Sequence, residues 1–150
     1  MKNILFVCTA NICRSPMAQA IFDVLAEDND LLFRAESAGT AALEGTPIAP
    51  NAVAALEEVG IYPAPHSARR VREAMVEEAE LVLAMTPQHA ATLRRLGNNP
   101  AGGIHVLPEY AMSVQGEGIP DPYGLTMAAY RSTLRQLYEQ VGRVVTRLGS

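Results

Sequence analysis

The sequence predicts a single α/β domain in which a mostly parallel sheet is covered by helices on both faces. Three observations support this prediction. Short apolar runs alternate with helical patterns along the chain, and neither a linker nor an internal repeat divides it. The length of 150 residues suits one domain, taken here as residues 1–150. Hydrophobic and charged fractions of 49% and 19% are typical of a globular protein.

The first half of the chain predicts two strands and three helices. Ile4–Val7 is a short apolar run that ends at Cys8 and predicts the first strand. Apolar residues then recur at helical spacing between Met17 and Leu25, which predicts a helix directly after this strand. The next predicted elements are a strand over 31–37, a helix over 51–59 and a short helix over 71–79.

The second half predicts two strands and two helices. Residues 80–85 form a leucine- and valine-rich run, typical of a strand buried on both faces. Thr86 and Pro87 have the N-cap and first-turn chemistry of a helix, and residues 103–108 predict the fourth strand. The final helix has the clearest pattern, because its apolar residues step by three and four from Met127 to Leu148.

Charge and composition exclude several classes of function. A formal net charge of −4, from 12 basic and 16 acidic residues, argues against nucleic acid or an anionic membrane as partner. The start of the sequence is too weakly apolar for a signal peptide, and no apolar run is long enough to span a bilayer. We therefore expect a soluble cytoplasmic protein whose two cysteines remain reduced.

The segment from Cys8 to Pro16 has the chemistry of an anion-binding loop. Ser15 and Pro16 predict the start of a helix, with Ser15 as the capping residue, and a helix N-terminus favours anions. Arg14 adds a planar guanidinium suited to two phosphate oxygens. In this positive environment Cys8 is expected to be held as a thiolate. The loop therefore predicts a nucleophile aimed at phosphorus, outside the carboxyl end of the first strand.

A second loop supplies a candidate proton donor. Asp121 lies in a proline-rigid segment after the fourth predicted strand, where its ordinary interpretation is a turn residue. Hydrolysis of a phosphate ester requires an acid for the leaving group, and loops after parallel strands can meet at one edge of the sheet. We therefore expect Asp121 to act as this acid and Tyr123 to form an aromatic wall.

Other interpretations of the cysteine loop are weaker. The chain has no further cysteine to complete a metal site with Cys8 and Cys13, and its three histidines form no ligand pair. Both cysteines could instead be small core residues. No glycine-rich nucleotide-binding motif is present. The sequence therefore predicts neither a metal nor a cofactor.

Five motifs together resemble the low-molecular-weight protein tyrosine phosphatase family. They are the segments VCTANICRSPMA, SAGT, HSAR, LVLAM and DPYG, in the order and spacing of that family. The resemblance covers essentially the whole chain. It implies a four-stranded parallel sheet with helices on both faces, no metal, and a monomer that acts on phosphorylated protein.

The resemblance also implies roles for individual residues. Cys8 would form a phosphocysteine, Arg14 and the loop amides would bind phosphate oxygens, and Asp121 would protonate the leaving group. Ser15 would stabilise the thiolate, and Cys13 would form a reversible disulfide with the nucleophile. The loop residues implied in phosphate or substrate binding are Thr9, Ala10, Asn11, Ile12, Cys13 and Ser15. Asn11 would hold the loop in shape through bonds to Ser37 and His66.

Two loop residues bear on activity and substrate. Ala10 stands where the family usually has glycine, and a positive φ at this position would strain alanine. One bacterial branch of the family hydrolyses phosphoarginine and typically has threonine at the position of Ile12. Isoleucine resembles the tyrosine-directed members, so phosphotyrosine is the expected substrate, although other motifs resemble the arginine branch and leave it as the alternative.

Two other classes of protein share this pattern in part. The related arsenate reductases use further cysteines to relay a disulfide, and this chain has none beyond Cys8 and Cys13. A phosphate-binding module without activity would be expected to lose the nucleophile or the acid, whereas Cys8 and Asp121 are both present. A phosphatase is the expected function.

Overall fold

The chain folds around a four-stranded sheet in which every strand pairing is parallel. The computed structural model describes all residues from Met1 to Ser150. The strands are β1 (Lys2–Cys8), β2 (Phe33–Gly39), β3 (Leu81–Ala84) and β4 (Ile104–Val106), in the spatial order β2-β1-β3-β4. The predicted α/β class and four parallel strands are confirmed.

Six helices connect and cover the strands. They are α1 (Arg14–Asp28), α2 (Pro50–Glu58), α3 (Glu73–Glu78), α4 (Pro87–Arg94), α5 (Leu107–Met112) and α6 (Met127–Leu148). The predicted strand over 103–108 is wrong at its end, because the chain turns into α5 directly after Val106. Pro108 lies in the first turn of α5, where its missing N–H costs no helical hydrogen bond. The predicted strand over 31–37 lies two residues too early.

The sheet has a hydrophobic core on each face. Ile4 and Phe6 of β1 belong to the larger core, which packs mainly against α1 and α6. Leu5 and Val7 point to the opposite face and join the smaller core, to which α3 and α4 contribute. Because successive strand side chains alternate between faces, a strand buried on both faces must be apolar throughout. This burial explains why β1 and β3 carry continuous apolar runs.

Parallel pairing brings the carboxyl ends of the strands to one edge of the sheet. Cys8 at the end of β1 pairs with Gly39 at the end of β2, and Val7 pairs with Ala84 at the end of β3. The loops that follow these strands therefore converge above this edge. No helix combines the length and the apolar character that crossing a membrane requires.

Candidate active site

The loop after β1 leads from a buried cysteine to the first turn of α1. Cys8 is 2% exposed, and the helix begins at Arg14 with Cys13 in the N-cap position. The expectation that Ser15 caps this helix is wrong, because Ser15 already lies inside its first turn. Its hydroxyl turns inward instead and lies 3.0 Å from the Sγ of Cys8. Ser15 Oγ also accepts a hydrogen bond from Asn11 Nδ2 at 2.8 Å and donates to the carbonyl of Ala38 at 3.4 Å.

Asn11 is the residue that shapes this loop. It is fully buried, and its Nδ2 also donates to Ser37 Oγ at 3.0 Å. His66 Nε2 donates to the backbone carbonyl of Asn11 at 2.7 Å, and Arg69 N donates to its Oδ1 at 3.1 Å. The left-handed φ of 59° falls on Asn11, a residue type that tolerates this region. The predicted strain at Ala10 does not arise, since Ala10 lacks a positive φ.

Arg14 is held rigidly although it bears a charge. Its side chain is 6% exposed, and Nη1 donates to the carbonyl of Ile119 at 3.0 Å. Nη2 donates to Thr9 Oγ1 at 3.3 Å and lies 3.5 Å from Asp121 Oδ2. A guanidinium has five N–H donors, so donors remain for an anion in the pocket that Arg14 lines.

The loop that carries Asp121 is attached to the end of β3. Ile119 N donates to the carbonyl of Met85 at 2.8 Å. Gly118 has a φ of 90° and packs so closely on the same carbonyl that any Cβ there would collide with it. Asp121 Oδ1 accepts from Tyr123 N at 3.1 Å, which is the turn contact expected of this residue type. The other carboxylate oxygen faces Arg14. Asp121 is therefore a turn residue that also presents a carboxylate to the pocket.

A cavity of about 380 Å³ opens above the loop. Thr9, Ala10, Ile12 and Cys13 line it together with Cys8, Arg14, Asp121 and Tyr123, and Ala41, Leu43 and Thr46 complete the wall. Asn11, Ser15, Ser37 and His66 lie outside the lining and support the loop from behind. No group of three or more His, Cys, Asp or Glu side chains is placed to hold a metal ion. The cavity combines a thiol, a guanidinium and a carboxylate with a mostly apolar wall.

Cys13 lies in a different environment from Cys8. Its Sγ is 3.4 Å from the hydroxyl of Tyr130, a buried residue of α6. Burial raises the pKa of the Cys13 thiol to about 11. Both cysteines are free thiols. Cys13 is therefore a protonated thiol at neutral pH, beside the pocket that Cys8 faces.

One histidine that contacts the loop has no functional signature in the sequence. His89 lies in the first turn of α4, and its Nε2 is 2.8 Å from Thr9 Oγ1. Burial, and then the charge of Arg14, lowers the pKa of His89 to about 4, so that the ring is neutral at physiological pH. The only local signal is its position three residues after the capping residue Thr86, which indicates a helix start and no more.

Comparisons with known proteins agree with this geometry. The model of the family described as low molecular weight phosphotyrosine protein phosphatase matches residues 3–150. A protein-arginine-phosphatase from Bacillus subtilis (strain 168) is 36% identical, over 97% of this chain and 96% of its own length. A low molecular weight protein-tyrosine-phosphatase from Streptomyces coelicolor is 40% identical, over 79% of this chain and 76% of its own.

A solved structure has nearly the same fold. The low molecular weight protein tyrosine phosphatase from T. tengcongensis superposes with a TM-score of 0.91 at 34% identity, and the match covers 98% of this chain and 99% of that one. The resemblance seen in the five sequence motifs is thereby confirmed. This chain is a member of the low-molecular-weight phosphotyrosine protein phosphatase family, a cysteine-dependent phosphatase that acts on phosphorylated protein.

Proposed function

We propose that the enzyme hydrolyses phosphotyrosine in proteins through a phosphocysteine formed on Cys8. In the first step Cys8 Sγ attacks phosphorus and the bond from phosphorus to the tyrosine oxygen breaks. Asp121 gives its proton to that oxygen, and Arg14 with the loop amides binds the charge on the phosphoryl oxygens. The support is the arrangement of these three side chains around one cavity.

The second step returns the enzyme to its starting state. The Asp121 carboxylate takes a proton from water, the water oxygen attacks phosphorus, and the bond from phosphorus to sulfur breaks. Inorganic phosphate leaves, and the Cys8 thiolate accepts a hydrogen bond from Ser15 Oγ, which lies 3.0 Å away. This contact favours sulfur as a leaving group because it stabilises the thiolate that forms.

The observation that favours tyrosine over arginine is the apolar wall of the cavity. Ile12 lines it from the loop, while the exposed side chains of Leu43 and Tyr123 stand at its rim. A phenyl ring would be stabilised by apolar contact with these side chains. A phosphoarginine guanidinium would place N–H groups against Ile12, which offers them no acceptor, and unpaired polar groups in a closed pocket cost about 1–3 kcal/mol.

Substitution of Ile12 tests this substrate assignment. Ile12→Thr supplies a hydroxyl at the pocket wall, so the ratio of phosphoarginine to phosphotyrosine turnover is expected to rise roughly ten- to hundredfold. The measurement is kcat/KM on matched phosphopeptides for both proteins. Ile12→Val is the matched control, because valine has the shape of threonine without the hydroxyl.

Two results would contradict the assignment. If the wild-type enzyme already prefers phosphoarginine, the protein is an arginine phosphatase on the same scaffold, as its Bacillus relative is named. If Ile12→Thr and Ile12→Val move the ratio equally, pocket shape and not hydrogen bonding selects the substrate.

We further propose that Cys13 protects the nucleophile from irreversible oxidation. The support is that both cysteines line the same cavity. In this proposal Cys13 attacks a sulfenic acid on Cys8, which forms a disulfide and releases water. Only the thiolate attacks. Because burial raises the pKa of Cys13 to about 11, the thiolate is scarce at neutral pH and becomes more abundant as the pH rises.

Removal of Cys13 should expose the nucleophile to oxidation. After a pulse of peroxide and then a thiol, Cys13→Ser is expected to recover clearly less activity than the wild type. In the wild type, disulfide formation should be faster at pH 8 than at pH 7, as followed by mass spectrometry of the bridged peptide. Equal recovery of the two proteins would make Cys13 a packing residue only.

The enzyme is further proposed to act as a monomer in the cytoplasm. The proposed nucleophile, arginine and acid all belong to this chain, so the proposed reaction requires no group from a partner. A reducing compartment keeps both thiols free, as catalysis through Cys8 requires. Light scattering should give a mass near 16.1 kDa, and a mass of twice this value would contradict the monomer.

A further inference from the structure

His89 occupies both of its ring nitrogens with threonine hydroxyls. Nδ1 lies 2.9 Å from Thr86 Oγ1, and Nε2 lies 2.8 Å from Thr9 Oγ1. The side chain is buried, with the whole residue 7% exposed. A neutral imidazole has one donor and one acceptor nitrogen, and a hydroxyl can serve either. Two hydroxyls thus satisfy the ring completely and fix its orientation.

The Thr9 hydroxyl connects this histidine to the phosphate-binding arginine. Arg14 Nη2 donates to Thr9 Oγ1 at 3.3 Å, so one oxygen contacts both His89 and Arg14. Thr9 is an exposed residue of the loop, so little packing restrains its side chain. His89 therefore supplies the contact that sets the Thr9 rotamer.

We propose that His89 is a positioning residue, which holds the Arg14 guanidinium in its productive orientation through the Thr9 hydroxyl. The other nitrogen of Arg14 is fixed by the Ile119 carbonyl at 3.0 Å, so Thr9 and Ile119 restrain the two ends of the planar group. With both ends restrained, the orientation of the guanidinium plane is set, and with it the orientation of the remaining N–H donors. His89 contacts no reacting atom and acts only through Thr9.

Neutrality of the ring is part of this arrangement. A protonated imidazolium would donate from both nitrogens and place a second positive charge close to Arg14. The pKa of about 4, lowered mainly by burial and then by the charge of Arg14, keeps the ring uncharged when the enzyme works. Thr9 can then donate to Nε2 while it accepts from Arg14, or accept from both.

A purely structural role for His89 predicts a different outcome. The Thr86 hydroxyl accepts from His89 N and so caps α4, and this backbone contact survives replacement of the side chain. A residue that only packs would lower the free energy of unfolding and leave the kinetics of the folded enzyme unchanged. A positioning residue lowers kcat, because Arg14 stabilises charge most strongly in the transition state.

The experiment measures kcat and KM for para-nitrophenyl phosphate, so its result does not depend on the natural substrate. His89→Leu is expected to lower kcat about ten- to hundredfold, the scale of a small misplacement of a catalytic group, with a smaller change in KM. Affinity for vanadate, which mimics the five-coordinate transition state, should fall more than affinity for inorganic phosphate. His105→Gln is the matched control, since His105 lies in β4 against the carbonyl of Gly102 and Tyr110, outside the cavity.

A double-mutant cycle with Thr9→Val tests whether His89 acts on Arg14 through the Thr9 hydroxyl. Because both substitutions break the same chain of contacts, the double variant should be no slower than the slower single variant. His89→Gln, which retains a hydrogen-bonding side chain, should recover part of the loss, and it replaces His89→Leu in the cycle if the leucine variant does not fold. A folded His89→Leu variant with wild-type kcat would overturn the proposal, as would losses in kcat that multiply when a His89 variant is combined with Thr9→Val.

Discussion

Replacement of Cys8 by serine is expected to abolish turnover while phosphate binding remains measurable. The sulfur atom is the proposed nucleophile, and a serine hydroxyl at this place has no adjacent base to remove its proton, since the nearest partner is another hydroxyl, Ser15. The loss should be very large, roughly a millionfold by comparison with removal of the nucleophile from other covalent enzymes. Para-nitrophenyl phosphate turnover measures it directly.

Phosphate binding is the control for this variant. The anion is proposed to bind Arg14 and the loop amides, and the hydrogen bonds of Asn11 that support the loop do not involve residue 8. Titration of inorganic phosphate, followed by calorimetry, should therefore still give a dissociation constant. Turnover retained by Cys8→Ser would refute the covalent mechanism, and loss of binding together with turnover would show that the loop had collapsed.

Replacement of Asp121 by asparagine is expected to slow poor leaving groups far more than good ones. A general acid typically contributes about 10²–10⁴-fold, but only where the leaving oxygen needs a proton. Asparagine keeps the oxygen that accepts from Tyr123 N, so the turn is preserved while the acid is lost. The measurement is kcat for an alkyl or phenyl phosphate against kcat for an activated aryl phosphate.

Asp121→Ala separates the proposed acid function of this residue from its role in the turn. Alanine removes the turn contact as well as the acid, so a structural effect would appear as a further loss on both kinds of substrate. Equal losses on good and poor leaving groups with Asp121→Asn would leave Asp121 as a turn residue alone, which is its ordinary role in an Asp-Pro segment.

The sequence was sufficient to predict the fold and the candidate site at the carboxyl edge of the sheet, because apolar runs and short motifs are local patterns. Continuous apolar runs predict β1 and β3 as strands buried on both faces, and the end of β1 places Cys8 at the edge of the sheet. The Asp121 loop follows α5 and reaches the same edge through the hydrogen bond from Ile119 N to the Met85 carbonyl. Boundaries were less predictable. Helix α5 has only six residues and follows β4 without a loop, so the apolar pattern continues into Leu107 and Pro108 and predicts them as the end of the strand.

The unpredicted parts of the site depend on contacts between distant residues. His89 meets Thr9 across 80 positions of sequence, and no periodicity or spacing reports such a contact. Serine is a common helix N-cap, so the sequence predicts that α1 begins at Ser15, whereas the Ser15 hydroxyl lies beside Cys8 and the helix begins at Arg14. Likewise the left-handed residue of the loop is Asn11 and not Ala10, since the backbone curvature depends on the bonds that Asn11 makes.

The central position of β1 in a wholly parallel sheet has a consequence for the order in which the protein matures. β1 is synthesised first, yet its neighbours β2 and β3 are supplied by Phe33–Gly39 and Leu81–Ala84, and parallel pairings of this kind form slowly. The Ile119 carbonyl that holds Arg14 is made later still. The contact of Cys8 with Ser15 is local, but the cavity above Cys8 is complete only when the loop that carries Ile119 and Asp121 docks. The first appearance of turnover during refolding thus marks completion of the fold.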